Sequence, residues 1–532
     1  MTASRNAEGL LEREEALSAL DALLADVRSN MRGRLVLVAG EAGVGKSTLL
    51  RVFCQGQRPP VRVLWGACVP LRTPRPLGPL IDVAEAVGGE VGELVAGAPR
   101  PYEVAVALLG ELRGRSPTVL VLEDAHWADE ATLDVLSMLA ARVDSVPALV
   151  LASYRAEEAN RSEQLRFVLG ELARGAGRLK LEPFSAATVS DLAEAHGIHD
   201  QELYRRTGGN PFFVTEVLAT GGARVPETVR EAVLARAARL DSPARRLLDA
   251  IAVVPGQVDL WLLEILASEL VDRLQECVES GIVTAVGTQV AFRHELARLA
   301  IEDATPPDRR VALHRCVLAA LAARDGEAPD FARLAEHAEA ADNGPAVLQW
   351  APRAAERARA SGAHREAAAQ YARALRFADG QPPHLRGELL AGRAHECYLT
   401  SQIDEAIAAQ QEALECHRRL GDQRGEGNAL RGLSRLLFFA GRASEAEPLV
   451  LEAIGLLERL PGHELAMSYA NVSQRRMVVQ DATEAVAWGN RALELARALG
   501  DTETEAYALS NIAGAEFRTD PDAGRLKLEA GA

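Results

Sequence analysis

The chain has 532 residues, which exceeds a single hydrophobic core and predicts three or four domains. Its 75 acidic side chains outnumber its 59 basic ones, giving a formal charge of −16, so no large surface is expected to bind nucleic acid directly. No apolar run is long enough to cross a bilayer, and residues 1–6 lack an export signal. We therefore expect a cytoplasmic protein that does not contact a membrane, with its six scattered cysteines reduced.

In chain order, apolar residues at helical spacing predict a helix within residues 8–30. Four apolar runs then predict buried strands at residues 35–39, 61–65, 119–122 and 148–152, separated by helical or proline-rich segments. Strands that alternate with helices in this way indicate an α/β domain with a parallel sheet.

A glycine-rich turn follows the first predicted strand. Residues 40–48 match the pattern GxxxxGK[ST], and residues 47–53 predict a helix after it. Glycines let backbone N–H groups face phosphates, Lys46 brings a mobile positive charge, and Ser47 offers a hydroxyl ligand to Mg²⁺. The alternative is a glycine-rich turn without a ligand. We predict that this loop binds the phosphates of a nucleotide through Gly40, Gly43, Val44, Gly45, Lys46, Ser47 and Thr48.

Two carboxylates end the third predicted strand. Glu123 and Asp124 would lie beside the phosphate-binding loop, one to hold Mg²⁺ and one to orient or deprotonate a water. By position, Glu123 would serve the metal and Asp124 the water. Because aspartate followed by glutamate is the commoner order, these individual roles stay open. The alternative is that Asp124 or Asp129 only caps a helix.

The fourth predicted strand ends in Ser153, Tyr154 and Arg155. Residues that follow parallel strands enter the same crevice. Arg155 is therefore a candidate sensor of the γ-phosphate and Ser153 a candidate for positioning water. An arginine after a strand is equally consistent with no such role.

Residues 160–225 are mainly helical in pattern, with a turn at residues 207–213. Within it, Pro211 would fix the backbone and present apolar atoms to a flat ligand such as adenine. Proline is also ordinary at the first position of a helix, and from the residues alone this second interpretation is preferred.

Residues 226–305 predict short helices followed by a hairpin, with strands at 281–286 and 289–292. This order indicates a small winged-helix unit. Its candidate recognition helix, residues 271–280, carries Asp272, Glu276 and Glu279 against one arginine, Arg273. Such a face repels phosphate, so we do not expect this unit to bind DNA.

From about residue 340 the chain is alanine-rich and repeats with spacings of 38 to 40 residues. Seven residues after each aligned alanine comes a second one, so that paired helices can pack closely as in a tetratricopeptide-like solenoid. The aligned pairs are Ala367 and Ala374, Ala406 and Ala413, Ala446 and Ala453, Ala485 and Ala492, and Ala523 and Ala530.

The ordered motifs resemble those of the signal-transduction ATPases with numerous domains, and within them the large ATP-binding LuxR-type transcriptional regulators. The resemblance covers nearly the whole chain. It rests on the segments LERE (11–14), AGEAGVGKS (39–47), LEDAHWAD (122–129), ASYR (152–155), GGNPF (208–212) and FRHEL (292–296).

The resemblance implies ATP or ADP with Mg²⁺ as ligands, Pro211 at the adenine, and His294 at the β-phosphate of ADP. His294 by itself would be interpreted as a partly buried structural residue. The implied architecture is multidomain α/β plus all-α: a P-loop ATPase domain with a parallel sheet (1–165), a helical lid (166–225), a winged-helix-like domain (226–325) and tetratricopeptide-like helical repeats (326–532).

We predict a slow, Mg²⁺-dependent ATPase that acts as a signal-transduction switch regulating transcription. An unknown inducer or partner protein would bind the repeats, and exchange of ADP for ATP would control self-association. Regulators of this group bind DNA through a helix-turn-helix that this chain lacks, so we expect a fragment of a longer protein.

Two rival hypotheses remain. One is a scaffold whose repeats bind a partner while the nucleotide site does not hydrolyse. The other is a small-molecule phosphotransferase, which lacks an evident acceptor site. Guanine as the base is disfavoured because neither Lys180 nor Lys527 lies in the motif that reads it.

Overall fold

The computed structural model describes residues 10–114, 116–159, 163–172, 175–197, 203–219, 228–324, 329–517 and 521–531. The chain divides into two compact units, Met1–Glu366 and Ala367–Ala532. The four-domain division of the sequence, with boundaries at 165, 225 and 325, stays a prediction.

A five-stranded parallel sheet with the order β2-β3-β4-β1-β5 lies in the first unit. Strands β1, β3 and β4 are almost entirely buried, as expected for parallel strands covered on both faces. The four strands predicted from apolar runs are present, but the short and largely exposed edge strand β5 was not predicted. The strands are β1 (Arg34–Ala39), β2 (Arg62–Ala67), β3 (Thr118–Glu123), β4 (Ala148–Tyr154) and β5 (Gly177–Lys180).

Helices connect these strands and cover the sheet. The first helix buries Leu20, Leu24 and Val27, one stripe of its surface, in the same core as β1. The helices are α1 (Glu14–Asn30), α2 (Lys46–Gln55), α3 (Gly78–Val87), α4 (Gly89–Ala96), α5 (Pro101–Leu112), α6 (Glu130–Ala140), α7 (Ala156–Ala159) and α8 (Glu163–Leu172), followed by the smaller group α9 (Ala186–Ala195), α10 (Leu203–Thr207) and α11 (Pro211–Ala219).

The next segment combines helices with an antiparallel sheet of order β6-β8-β7. The predicted hairpin is present, whereas the three-residue strand β6 was not predicted. The proposed recognition helix is divided into a 3₁₀ turn, Ser268–Arg273, and a short helix. The elements are α12 (Val229–Ala237), α13 (Ser242–Ala252), β6 (Gln257–Asp259), α14 (Leu260–Ala267), α15 (Leu274–Glu279), β7 (Val283–Val286), β8 (Gln289–Phe292), α16 (Glu295–Ala304) and α17 (Pro307–Ala322). The name winged helix stays a prediction.

Helices α18 (Phe331–Ala340) and α19 (Gly344–Ala360) complete the first unit with the start of α20 (His364–Leu375). They contact the domain that contains the parallel sheet. The Arg357 guanidinium donates to the carbonyls of Val95 and Ala96 at the end of α4 (3.1 and 2.9 Å), and Arg75 pairs with Asp330 at 3.3 Å.

The second unit is helical, and consecutive helices pack in pairs. The eight alanines aligned in the first four repeats are fully buried, as expected if small residues set the contact between paired helices. The side chains of Ala523 and Ala530 lie outside the described residues. The helices are α21 (Pro383–Leu399), α22 (Ile403–Leu420), α23 (Gln423–Phe439), α24 (Ala443–Leu457), α25 (His463–Val478), α26 (Ala482–Leu499), α27 (Thr502–Glu516) and α28 (Pro521–Gly531).

Among the helices that the structure describes, none combines the length and apolar character needed to cross a membrane.

Candidate functional site

The phosphate-binding loop, residues 40–48, connects β1 to α2. Gly43 (φ +79°) and Gly45 (φ +99°) adopt the left-handed conformation that glycine tolerates best. A Cβ atom on Gly43 would lie 2.8 Å from the Cβ of Phe212, so a second element approaches the loop closely. Val44 is buried beneath the loop, and its side chain would meet a Cβ on Gly40 at 2.8 Å.

Lys46 is buried at the start of α2. Its ammonium donates to the carbonyls of Gly40 (2.7 Å) and Glu41 (2.9 Å). Burial lowers the pKa of Lys46 to about 8, an effect that the Asp124 carboxylate opposes. Among the described residues no carboxylate pairs with this ammonium within 4 Å. A bound anion would therefore stabilise its charge.

Glu123 and Asp124 lie at the carboxyl end of β3, as predicted. The Trp65 indole donates to Glu123 Oε2 at 3.2 Å and fixes that carboxylate. Burial, with repulsion from Glu123, raises the pKa of Asp124 to about 6. Asp124 is left-handed (φ +55°), and its N–H donates to the fully buried Ser153 hydroxyl at 2.9 Å. Such strain in a non-glycine residue is typical of functional sites.

The residues that follow Asp124 include two buried polar side chains. The His126 ring is fully buried, 3.8 Å from the Asp124 carboxylate, and neither of its nitrogens has a hydrogen-bond partner among the described residues. Burial lowers the pKa of His126 to about 3, so the ring is neutral. Asp129 accepts from the Thr132 N–H at 3.0 Å and caps α6, which matches the alternative interpretation of that carboxylate.

Three hydrogen bonds hold the phosphate-binding loop from outside the sheet. Asn210 donates to the Ala42 carbonyl at 2.8 Å, and the Phe212 N–H donates to the Gly43 carbonyl at 3.2 Å. On the other side, the Arg13 guanidinium donates to the Val44 carbonyl at 3.1 Å. The positioning roles of Asn210 and Arg13 were not inferred from their types or spacing, because each acts on a backbone carbonyl far away in the chain.

Pro211 and His294 flank Phe212 in different ways. Pro211 begins α11 and is not among the residues that line the cavity beside the loop. His294 lines that cavity, and its ring centre lies 4.0 Å from that of Phe212. Burial, followed by the charges of Arg293 and Arg51, lowers the pKa of His294 to about 4. A neutral imidazole thus faces the phosphate-binding loop.

The cavity has a volume of about 530 Å³. Its walls come from the phosphate-binding loop, from the ends of β2, β3 and β4, from the antiparallel sheet, and from the start of α18. Of the predicted residues, the walls include Gly43, Gly45, Lys46, Ser47, Thr48, Glu123, Asp124, Arg155 and His294.

The donor set fits a polyphosphate and a divalent cation. Glycines expose backbone N–H groups, Lys46 lacks a carboxylate partner within the described chain, and Arg155 enters the cavity from the end of β4. The Ser47 hydroxyl and the Glu123 carboxylate are oxygen ligands of the kind that Mg²⁺ prefers. The volume also suits a ligand of nucleotide size.

Comparison with known families identifies the first part of the chain, since residues 9–151 match the AAA ATPase domain. The chain therefore contains an AAA ATPase domain. That domain includes the phosphate-binding loop and both carboxylates, whereas Arg155, Pro211 and His294 follow it. Nucleotide binding is the property implied by this match.

An uncharacterized protein of Rhizobium meliloti (strain 1021) is 27% identical over an alignment of 414 positions that covers 62% of this chain. The match spans 39% of the length of that relative.

Two solved structures are similar beyond the AAA ATPase domain. One is a Signal Transduction ATPase with Numerous Domains from Pyrococcus horikoshii that has a tetratricopeptide repeat sensor (13% identity, TM-score 0.43, covering 96% of this chain and 91% of that one). The other is the Aeropyrum pernix ORC1 protein in complex with DNA (19% identity, TM-score 0.32, covering 57% and 94%).

Proposed function

We propose that this chain is a nucleotide-controlled signalling switch of the signal-transduction ATPase type. ADP would hold the AAA ATPase domain, the 186–219 helices and the antiparallel-sheet segment in the closed arrangement. Exchange of ADP for ATP would open this arrangement and allow self-association. The change would be driven by the difference in nucleotide affinity between the closed and the open state.

The observation that carries this proposal is the enclosure of the phosphate-binding loop by other parts of the first unit. Asn210 and Phe212 donate to its carbonyls, and His294, which lines the cavity, lies against Phe212. Asp330 reaches the same wall from α18 and pairs with Arg75. Loss or gain of a phosphate in the cavity would therefore act directly on the contacts between these segments.

The residues divide into binding, sensing and acid–base groups. The phosphate-binding loop and Lys46 would hold the β- and γ-phosphates of ATP, Ser47 and Glu123 would ligate Mg²⁺, and Arg155 would contact the γ-phosphate. Bound Mg²⁺ supplies Lewis-acid stabilisation of phosphate charge. Asp124, whose pKa is raised to about 6, would accept a proton from an attacking water during slow hydrolysis.

His294 would contact the β-phosphate of ADP, and Pro211, which does not line the cavity, would contact an adenine that extends beyond the cavity wall. The neutral state of His294 supports this role, because one ring nitrogen can donate to a phosphate oxygen without an unpaired buried charge. We further propose that the output is transcription, with DNA bound by a domain outside this chain, and that the helical repeats receive the signal.

The test is the nucleotide content and size of the purified chain. We expect bound ADP after purification, and a larger hydrodynamic radius with weaker ADP affinity when ATP and Mg²⁺ are added. Lys46→Ala should lower nucleotide affinity by about 10- to 100-fold, whereas Lys180→Ala, which removes an exposed lysine paired with Glu182, should leave it unchanged.

Two results would contradict the switch. The first is a chain that purifies without adenine nucleotide and does not respond to ATP. The second is a Lys46→Ala variant that keeps normal partner binding and signalling output, which would instead support the scaffold hypothesis.

A further inference from the structure

The helical repeats carry a cluster of hydrogen-bond donors that the proposed nucleotide site does not explain. We call it the donor cluster: Tyr398 on α21, Arg431 and Arg435 on α23, Gln474 on α25, and Tyr507 on α27. Each lies on the first helix of a repeat. Arg435 on α23 reaches Tyr507 on α27 although three helices, α24 to α26, lie between them along the chain. Side chains from alternate helices converge in this way on the inner surface of a superhelical array.

Arg435 is surrounded by aromatic rings. Its Cζ atom lies 5.1 Å from the ring centre of Tyr398 and 5.8 Å from those of Phe439 and Tyr507. Its Nη2 donates to the Tyr398 hydroxyl at 3.2 Å, while the Tyr507 hydroxyl donates to Gln474 Oε1 at 2.6 Å. The rings and these two bonds hold the guanidinium plane in a defined orientation.

The cluster contains more donors than acceptors. Arg431 donates through Nε and Nη2 to Asn428 Oδ1, at 3.1 and 2.8 Å. Within the described part of the chain, the Nη1 groups of Arg431 and Arg435 and the Gln474 amide nitrogen have no acceptor. The Tyr398 hydroxyl accepts from Arg435, so its own proton remains available. A ligand that satisfies these free donors therefore has to supply hydrogen-bond acceptors.

The positive charge of the cluster is also not matched by an ion pair within the described residues. Arg431 and Arg435 are one helical turn apart on the same face, and neither forms an ion pair within 4 Å among the described residues. Burial, with repulsion from Arg435, lowers the pKa of Arg431 to about 10, although Glu464 and Glu503 act in the opposite direction. Glu464 is itself paired with Arg424 at 2.7 Å. The chain has a formal charge of −16, so two adjacent guanidiniums without an ion-pair partner are unusual in it. An anionic ligand would stabilise their charge.

We infer that the donor cluster is a binding site for an organic carboxylate attached to an apolar or aromatic group. The planar guanidiniums match the two oxygens of a carboxylate, and the half-exposed Phe439 ring borders the site for the attached group. The carboxylate could belong to a free metabolite or to the C-terminus of a peptide. That this ligand is the signal for the repeats rests on the proposed function, whereas the binding site itself does not.

The probe for the test is phenylacetate, titrated into the full chain and followed by saturation-transfer NMR. Three further probes are compared with it. They are the neutral isostere phenylacetamide, inorganic phosphate, and a pentapeptide that ends in phenylalanine and is tested both as the free acid and as the C-terminal amide. We expect phenylacetate and the free-acid peptide to bind and both amides to fail. The relative affinity of the two binders distinguishes a metabolite from a peptide terminus.

The variants Arg431→Gln and Arg435→Gln should each weaken phenylacetate binding by about tenfold or more, because a charge-assisted hydrogen bond is lost. Arg442→Gln is the matched control, since that exposed arginine of the same unit pairs with Glu445. Thermal unfolding confirms that each variant is folded. If Arg435→Gln does not fold, Arg435→Lys, which keeps the charge, should show weaker binding than the parent.

The inference is wrong if no probe binds, if phenylacetamide binds as well as phenylacetate, or if phosphate binds more tightly than either carboxylate. It is also wrong if Arg431→Gln and Arg435→Gln bind phenylacetate as well as the Arg442→Gln control does. Release of ADP from the same chain is measured separately. Carboxylate binding that depends on both arginines but leaves ADP release unchanged would support the site and contradict its coupling to the proposed switch.

Discussion

Asp124 combines three unusual properties in one residue. Its backbone is left-handed, its N–H is held by the buried Ser153 hydroxyl, and burial beside Glu123 raises its pKa to about 6. A carboxylate that titrates near neutral pH can exchange a proton with water at little cost. The order of glutamate and aspartate left the roles of Glu123 and Asp124 open in the sequence. The hydrogen bond from the Trp65 indole to Glu123 favours Glu123 as the metal ligand. The raised pKa of Asp124 favours Asp124 as the proton acceptor.

This assignment predicts a pH dependence. ATP turnover should rise between about pH 5 and pH 7 with an apparent pKa near 6, because only deprotonated Asp124 accepts a proton. Asp124→Asn should lower turnover by about 10²-fold or more and remove this dependence. Asp144→Asn, at an exposed aspartate paired with Arg32, is the control. An unchanged pH profile in Asp124→Asn would contradict the assignment.

Gly43 is the residue at which the phosphate-binding loop meets the start of α11 and the preceding Asn210. A methyl group there would overlap Phe212 Cβ at 2.8 Å and Asn210 Oδ1 at 2.9 Å, at a φ of +79° that alanine rarely adopts. We predict that Gly43→Ala lowers the free energy of unfolding by on the order of 1–3 kcal/mol. It should also weaken the contact between the phosphate-binding loop and the start of α11. A fall in melting temperature and in nucleotide affinity would show this.

Gly110→Ala supplies the comparison for that variant, because a Cβ at this position on α5 meets nothing within 4 Å and should be tolerated. Equal effects of the two substitutions would show that the close approach at Gly43 is unimportant.

At the scale of elements, α6 and α20 begin close together and cap each other. The Glu130 N–H donates to Glu366 Oε1 at 3.3 Å, and the Arg365 N–H donates to Glu130 Oε2 at 3.0 Å. Glu366 Oε2 is buried without a partner among the described residues, and Asp129 lies nearby. The helix that follows the two site carboxylates is thereby joined to the first residues of α20.

Burial and the charge of Asp129 raise the pKa of Glu366 to about 8, above its ordinary value of 4.5. The protonated form is therefore favoured in the folded state, and its stabilising contribution is present below pH 4.5 and is lost as the pH rises through about 8. We predict that Glu366→Gln, which keeps the acceptor without the charge, raises the melting temperature at pH 8.5 by more than at pH 6. A gain that does not depend on pH would contradict this prediction.

At the scale of the whole chain, the cavity is enclosed by segments that are distant in sequence. His294 reaches it from the antiparallel-sheet segment, and Asp330 reaches it from α18. We predict that His294→Ala accelerates ADP release by about tenfold, the effect of one lost hydrogen bond to a charged group, and increases the fraction that self-associates with ATP. Stopped-flow displacement of labelled ADP and light scattering measure these effects.

The control for this variant is His196→Ala, which removes an exposed histidine at the end of α9 and should leave ADP release unchanged. Slower or unchanged ADP release in His294→Ala would show that His294 is only a packing partner of Phe212.

The sequence by itself determined the local features of this protein. Apolar runs predicted β1 to β4, the pattern of residues 40–48 predicted the turn before α2, and regularly spaced alanines predicted the paired helices. These features depend on neighbours along the chain, so they can be inferred without a fold. The edge strand β5 was missed because its four residues are mostly polar and exposed and so form no apolar run, and β6 was missed because it has only three residues.

Only the tertiary structure decided which distant groups meet. Arg13 and Asn210 bind carbonyls of the phosphate-binding loop, Trp65 holds Glu123, and Glu366 lies against α6. Two of these contacts end on backbone carbonyls, which all residue types share, and the donor cluster of the repeats combines side chains from four helices. Shifted pKa values arise in the same way, because burial and neighbouring charge depend on the packed structure and not on residue type.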